Sequence, residues 1–203
     1  MKTVLLASKS PRRQEMLRLS GLPFRAEAVD TPEQVPDGLS PAAAALHIAR
    51  GKADASAQLL RDSEILLAAD TVVAVGDQLL AKPADVAEGM AMLRLLSGKT
   101  HEVITGVVLR SRHARGKQSP DAGGEHEEAF FARTEVEFAS LSKAFMRYYV
   151  EQFRPFDKAG GYAIQEWIGL THILAIRGCF YNVVGLPMPM LFPKLLALGV
   201  QPR

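Results

Sequence analysis

Apolar positions along this chain recur with two periods, one suited to strands and one to helices. Thr3–Ala7 is a short apolar run that predicts a buried strand. Ser10-Pro11 then opens a helix through Met16, Leu17 and Leu19, which stops at Gly21. A loop follows in which Pro32 and Pro36 bracket Glu33, and Ser40-Pro41 opens a second, Ala-rich helix to about Leu60. Ile65–Val75 is a long apolar run broken only by Asp70 and Thr71. Gly76-Asp77 predicts a hairpin turn returning through Leu79 and Leu80, and Lys82-Pro83 closes that arm. A third helix is expected over Asp85–Leu96, with Gly98 past its end. Strands are expected over Val103–Leu109 and, by alternation, over Phe131–Phe138. The rest reads as a helix over Leu141–Phe153, strands near Tyr162–Gln165 and Thr171–Ile176, a turn at Gly185-Leu186-Pro187, and a final helix to Leu198. Helices alternate with strands and hairpins interrupt them, so the expected class is α/β with a mixed sheet. Residues 110–129, basic at Arg110, Arg112, Arg115 and Lys117 and acidic at Glu125, Glu127 and Glu128, read as a flexible solvated hairpin loop with His126 at its tip.

Composition narrows the function classes. The 203 residues suit a single domain, or one with two lobes, spanning 1–203. A hydrophobic fraction of 48% and a charged fraction of 23% argue against disorder, collagen-like repeats and coiled coils. Lys plus Arg is 24 against 22 for Asp plus Glu, so the net charge of +2 predicts neither duplex nucleic acid nor a membrane surface as partner. The first apolar run stops at Ser8, too soon for a secretory signal, and no stretch of about 18 uninterrupted apolar residues exists. A single cysteine, Cys179, excludes an internal disulfide, and five scattered histidines exclude a Cys/His zinc cluster. Both fit a reducing, cytoplasmic setting. Cys179 has no histidine nearby in sequence and reads as buried packing rather than a nucleophile.

Several residues sit against their local trend. Ser97-Gly98-Lys99-Thr100 resembles the tail of a phosphate-binding P-loop, but Leu93 stands where that loop needs glycine, and the strand and helix come in the wrong order. Arg12 and Arg13 occupy the first turn of a helix, where the macrodipole disfavours cations by roughly 0.3–1 kcal/mol each. A bound polyphosphate, held by free backbone N–H groups, two guanidiniums and the Ser8 and Ser10 hydroxyls, would account for them. A solvated pair in which Arg12 reaches Glu15 is the alternative. Asp70 is costly in a buried run unless it meets a cation, a metal or several donors, which makes it a candidate general base or magnesium ligand. Lys52 lies on or beside an apolar helix stripe, and Lys82 stands between Ala81 and Pro83. Each is a phosphate contact or a surface lysine. Glu33 is held in a stiff loop, and the paired glycines of Asp157–Gly161 allow close approach of a ligand or a tight turn. Several cations, two acids and a helix N-terminus, with no covalent nucleophile, suit magnesium-assisted hydrolysis of a phosphoanhydride by water.

The ordered motifs resemble those of the Maf family of nucleoside triphosphate pyrophosphatases. They are Leu6-Ala7-Ser8-Lys9-Ser10-Pro11-Arg12-Arg13, Ala69-Asp70-Thr71-Val72-Val73, Lys82-Pro83, and Leu96-Ser97-Gly98 with His101, Thr105 and Gly106. Asp157–Gln165 and Asn182–Pro187 complete the set, so the resemblance covers almost the whole chain. It implies an elongated mixed sheet flanked by helices, with a cleft between two lobes, often as a homodimer. It implies cleavage of a nucleoside triphosphate to the monophosphate and pyrophosphate with a divalent metal, magnesium first and manganese second. By that resemblance Asp70 is the proton acceptor, Ser8, Arg12, Arg13, Lys52 and Lys82 hold phosphates, and Glu33 joins Asp70 at the metal. Arg12, Thr71 and Gln165 match the branch acting on dTTP and UTP. A branch acting on 7-methyl-GTP carries tryptophan, glutamine and glutamate there. A Gln165 amide offers a pyrimidine edge both donor and acceptor. The chain departs from many relatives at Arg154-Pro155-Phe156, where Glu-Pro is common, at Gly51, and in the length of 110–128. The other readings are a pyrophosphatase for 7-methyl-GTP or another non-standard nucleotide, and a non-catalytic nucleotide-binding regulator of septum formation.

Overall fold

The computed structural model describes residues 2–112 and 125–203. Its centre is a seven-stranded mixed sheet: β1 (Thr3–Leu6), β2 (Phe24–Ala26), β3 (Glu64–Val75), β4 (Gln78–Leu80), β5 (Thr100–Arg112), β6 (Glu125–Phe138) and β7 (Ile173–Arg177). The order is β2-β1-β3-β5-β6-β7, with β4 also on β3. β1 runs parallel to β2 and β3, and the other strand pairs are antiparallel. Seven helices surround it: α1 (Pro11–Leu19), α2 (Pro41–Ser56), α3 (Val86–Leu96), α4 (Lys143–Phe153), α5 (Trp167–His172), α6 (Phe180–Val184) and α7 (Met188–Ala197). The α/β class with a mixed sheet is as expected.

Alternation along β3 distributes the core. Ile65, Leu67 and Ala69 face Met16 and Leu17 of α1 and Leu191 and Leu195 of α7. Further along the same face, Val73 belongs to a second core with Met90, Leu93, Val103, Val136, Phe138 and Tyr149. These two cores make the two lobes. The even positions point the other way: Leu66 and Ala68 meet Ala49 and Ala53 of α2, and Val72 and Ala74 meet Ala45 and Ile48. One long helix thus covers the middle of this face, across β3, β5 and β6, and its alanines let it lie close. At Gly106 of β5 the approach is closest, since a Cβ there would stand 2.6 Å from the Ala45 carbonyl carbon and oxygen.

The sheet has a gap along one edge of β3. Pairing with β1 ends at Leu6↔Leu67, and pairing with β4 begins only at Val73↔Leu80. Between them, residues 68–72 of β3 have a strand partner, β5, on one side only. A break beside the carboxyl end of a parallel strand is where α/β proteins admit ligands.

Several expectations need correction. The loop expected over 110–129 gives way to strand at both ends, because β5 runs to Arg112 and β6 starts at Glu125; residues 113–124 lie outside those described. His126 is therefore not a loop tip but a strand residue opposite Ser111. The strand expected near Tyr162–Gln165 is absent; a short 3₁₀ turn, Ala159–Gly161, precedes irregular backbone there. Thr171 and His172 end α5 instead of opening a strand. β2 and α6 were not anticipated at all. Ser40 caps α2 as expected, accepting from the Ala43 N–H at 3.3 Å, but the Ser10 side chain makes no capping bond to α1.

Candidate active site

A cavity of about 420 Å³ opens at the gap in the β3 edge. Ser8, Arg12, Arg13, Glu33, Lys52, Asp70, Thr71, Lys82 and Gln165 all line it, so the structure brings together all nine candidate residues. Local sequence explains their convergence. β1 ends at Leu6 and delivers Ser8 to the mouth, and Pro11 starts α1 immediately, which sets Arg12 and Arg13 in its first turn. Strand alternation sends Asp70 towards α2 and Thr71 to the opposite face.

On the α2 side the Lys52 Nζ lies 2.5 Å from Asp70 Oδ1 and 2.8 Å from Glu33 Oε1. Lys82 Nζ donates to the other Glu33 oxygen at 2.6 Å. Burial pushes the Glu33 carboxyl up, but the two ammoniums outweigh it and hold the group at about 2. Asp70 is 8% exposed, so Lys52 is the cation that a buried acid in an apolar strand demands. Two carboxylate oxygens within 2.8 Å of one nitrogen also fit a hard divalent cation, since magnesium commonly takes one or two carboxylates and leaves other positions to phosphate and water. No group of three or more His, Cys, Asp or Glu side chains is arranged for a metal among the described residues.

On the α1 side Arg13 is 8% exposed. Its Nε donates to the Gly185 carbonyl at 2.9 Å, Nη1 to Ser8 Oγ at 3.3 Å and Nη2 to Thr71 Oγ1 at 3.0 Å. Burial pulls its pKa below the ordinary arginine value, with the charge of Asp70 acting in opposition. Arg12 does not reach Glu15; it points across the cleft to Asp157 Oδ2 at 3.4 Å, and Glu15 pairs with Arg18. Lys82 and Lys52 are thus bound to acids, as is Arg12, whereas Arg13 meets neutral acceptors.

The far wall carries residues that the sequence reading left unassigned. Asp157 and Lys158 line the cavity, and Lys158 bonds Asp157 at 2.7 Å and Glu166 at 3.4 Å. Tyr149 Oη donates to Glu166 at 3.0 Å and accepts the Ala163 N–H at 3.2 Å, fixing the segment that holds Gln165 at the rim. Gly160 and Gly161 adopt φ of +71° and +68°, conformations that favour glycine, so the paired glycines serve a tight turn. Tyr162 lies in the wall with its hydroxyl 2.7 Å from His101 Nε2. Burial lowers His101 to about 4 and raises Tyr162. Cys179 is only half-buried and stands before α6, away from these groups in the cavity lining.

Comparison with known proteins places the chain. A family profile described as Maf: Maf-like protein matches residues 3–198. A dTTP/UTP pyrophosphatase of Porphyromonas gingivalis is 44% identical over 201 residues, covering 97% of this chain and 94% of that protein. One from Bacteroides thetaiotaomicron is 39% identical, covering 96% and 95%. Among solved structures, a nucleoside-triphosphatase / dITP/XTP pyrophosphatase from Mycobacterium abscessus shares 20% identity at a TM-score of 0.37, covering 70% of this chain and 76% of that one. So slight a structural likeness bears on neither fold nor function. With a family match over nearly its full length and relatives at about 40% identity, the chain belongs to the Maf family.

Proposed function

We propose that this chain is a nucleoside triphosphate pyrophosphatase that hydrolyses dTTP and UTP, and modified pyrimidine nucleotides of similar shape, to the monophosphate and pyrophosphate. One observation carries the reading: in a Maf-family chain, Asp70 and Glu33 share one cleft at the sheet gap with Arg12, Arg13, Lys52 and Lys82. Lys52 holds one oxygen of Asp70, and the other, Oδ2, takes no hydrogen bond among the described residues. In this reading Asp70 Oδ2 accepts a proton from a water that attacks the α-phosphorus. The bond from that phosphorus to the β-phosphate bridging oxygen breaks, and pyrophosphate leaves. Arg12, Arg13, Lys52, Lys82 and the Ser8 hydroxyl hold the phosphates and spread their charge as it develops. Glu33 and Asp70 are the residues that would hold a divalent metal, magnesium foremost. When bound, it would neutralise phosphate charge. Gln165 at the rim, with Arg12 and Thr71, is the reading for base choice. A cytoplasmic setting accords with a nucleotide substrate, and a homodimer rests on the family resemblance.

The test is pyrophosphate release from a panel of nucleoside triphosphates with magnesium. Release from dTTP and UTP above all others supports the reading. Preference for 7-methyl-GTP would keep the reaction and overturn the base assignment, and no release from any nucleotide by folded protein would overturn both. Asp70→Asn should fold and lose turnover by about 10²–10⁴-fold, the range for removal of a general base. A near-normal rate would end that assignment.

A further inference from the structure

Behind Arg13 lies a buried polar chain whose direction can be worked out atom by atom. Thr105 Oγ1 stands 3.0 Å from the Asn182 carbonyl oxygen, which can only accept, so the single Thr105 proton goes there. Thr71 Oγ1 is 2.9 Å from Thr105 Oγ1. With the Thr105 proton committed, Thr71 must be the donor of that bond. The Thr71 oxygen then meets the Arg13 Nη2–H with lone pairs only, as an arginine donor requires. Asn182 is fully buried, and its Nδ2 donates to Val103 O at 3.0 Å and to Thr134 Oγ1 at 2.9 Å. That pins the start of the segment whose Gly185 carbonyl takes the Arg13 Nε.

Three of the five N–H groups of Arg13 are therefore occupied, and all three acceptors are neutral. Among the described residues it makes no ion pair within 4.0 Å, although it is 8% exposed and lines the cleft. A buried guanidinium without a carboxylate is costly until an anion completes it. Its two remaining N–H groups, one on Nη1 and one on Nη2, are left to serve an anion.

We propose that Thr105 and Asn182, acting through Thr71, are positioning residues that fix the orientation of the Arg13 guanidinium at the cleft, where it receives a phosphoryl oxygen. They never touch the substrate. Thr71 also has no free proton, so it can offer a nucleobase only a lone pair. The proposal deepens the pyrophosphatase reading and rests on it for the nature of the anion.

The experiment compares wild type, Thr105→Val and Thr105→Ser in two assays: binding of inorganic tripolyphosphate by calorimetry without metal, and steady-state hydrolysis of magnesium-dTTP. Thr105→Val keeps volume and removes the proton path. It should raise the tripolyphosphate Kd and the dTTP KM by about fivefold, the scale of one lost neutral hydrogen bond, while Thr105→Ser restores both. In an Arg13→Lys background, Thr105→Val should cost nothing further, which a merely structural role would not produce. If Thr105→Val does not fold, Thr71→Val carries the comparison by tripolyphosphate binding alone, since that probe has no base for Thr71 to meet. A Kd within about twofold of wild type, or equal losses in both backgrounds, would overturn the proposal. A wild type that binds tripolyphosphate through this path but releases no pyrophosphate would instead sink the pyrophosphatase reading and leave the path standing.

Discussion

Gly106 is the narrowest point between α2 and the sheet, and it pairs in register with Asp70. A methyl group at this position would meet the Ala45 carbonyl carbon and oxygen at 2.6 Å and the Leu46 nitrogen at 2.7 Å. All three are backbone atoms, so no side chain can rotate away and no trimming of Ala45 gives relief. Ordinary contact starts near 3.4 Å, so α2 must retreat by roughly 0.8 Å. Overpacking of this kind costs about 1–3 kcal/mol. At about 2–4 °C per kcal/mol for a chain of this size, Gly106→Ala should lower Tm by roughly 2–12 °C. The same retreat carries Lys52, two turns along α2, away from Asp70, and misplacement by about 1 Å can cost 10²-fold in rate. Gly51→Ala is the control: it lies on the same helix, has nothing within 4 Å of an added Cβ, and should stabilise by about 0.5–1 kcal/mol. Differential scanning calorimetry and pyrophosphate release measure both effects. If Gly106→Ala kept Tm within about 1 °C and kcat within about twofold of wild type, α2 would not be the element that sets the Lys52–Asp70 distance.

Two further outcomes follow from titration and charge. Burial holds His101 at about 4, below its unfolded value of 6.5, so the fold favours the neutral ring. That stability is fully present above pH 6.5 and is lost as pH falls towards 4, on the order of 3 kcal/mol in all. Denaturant midpoints at pH 7 and pH 4.5 should therefore fall further apart in wild type than in His101→Gln, and equal differences would refute the assignment. Glu33→Gln should raise the magnesium concentration for half-maximal pyrophosphate release by about tenfold or more while the protein stays folded. An unchanged magnesium curve would remove Glu33 from the metal.

How legible the molecule was depended on where partners lie. β3 was readable because its apolar run is long and broken only at Asp70 and Thr71, and Asp70 stood out as the acid within it. The early part of β6 was misread because Glu127 and Glu128 are charged. There the strand is held by pairs that sequence cannot display, Glu127 with Arg110 at 2.7 Å and Glu128 with Lys194. The strand expected over Thr171–Ile176 forms as β7 but begins two residues later, because Trp167–His172 coils into the aromatic cluster around Phe145 and Tyr148. For Arg12 and Arg13 the sequence left solvation and anion binding open. Burial of Arg13 was hidden because two of its acceptors, Thr71 and Gly185, are 58 and 172 residues away along the chain. Thr105 and Asn182 were visible only as members of motifs, with no signal of what they join.

The strands that run through both lobes have a mechanical consequence. β3 contributes Ile65 and Leu67 to one core and Val73 to the other, and β5 likewise contributes Val107 and Leu109 to one and Val103 to the other. The lobes are thus two regions of the same beams, laddered together, with no linker among the described residues along which they could swing. Bending the cleft open would shear strand-to-strand hydrogen bonds in the middle of the sheet. Neither half could be cut out as a freestanding piece, because each would lose the strands that floor it. Whatever enters this cleft meets walls already built to shape, and exchange at the mouth must come from side chains and the short segments at the rim.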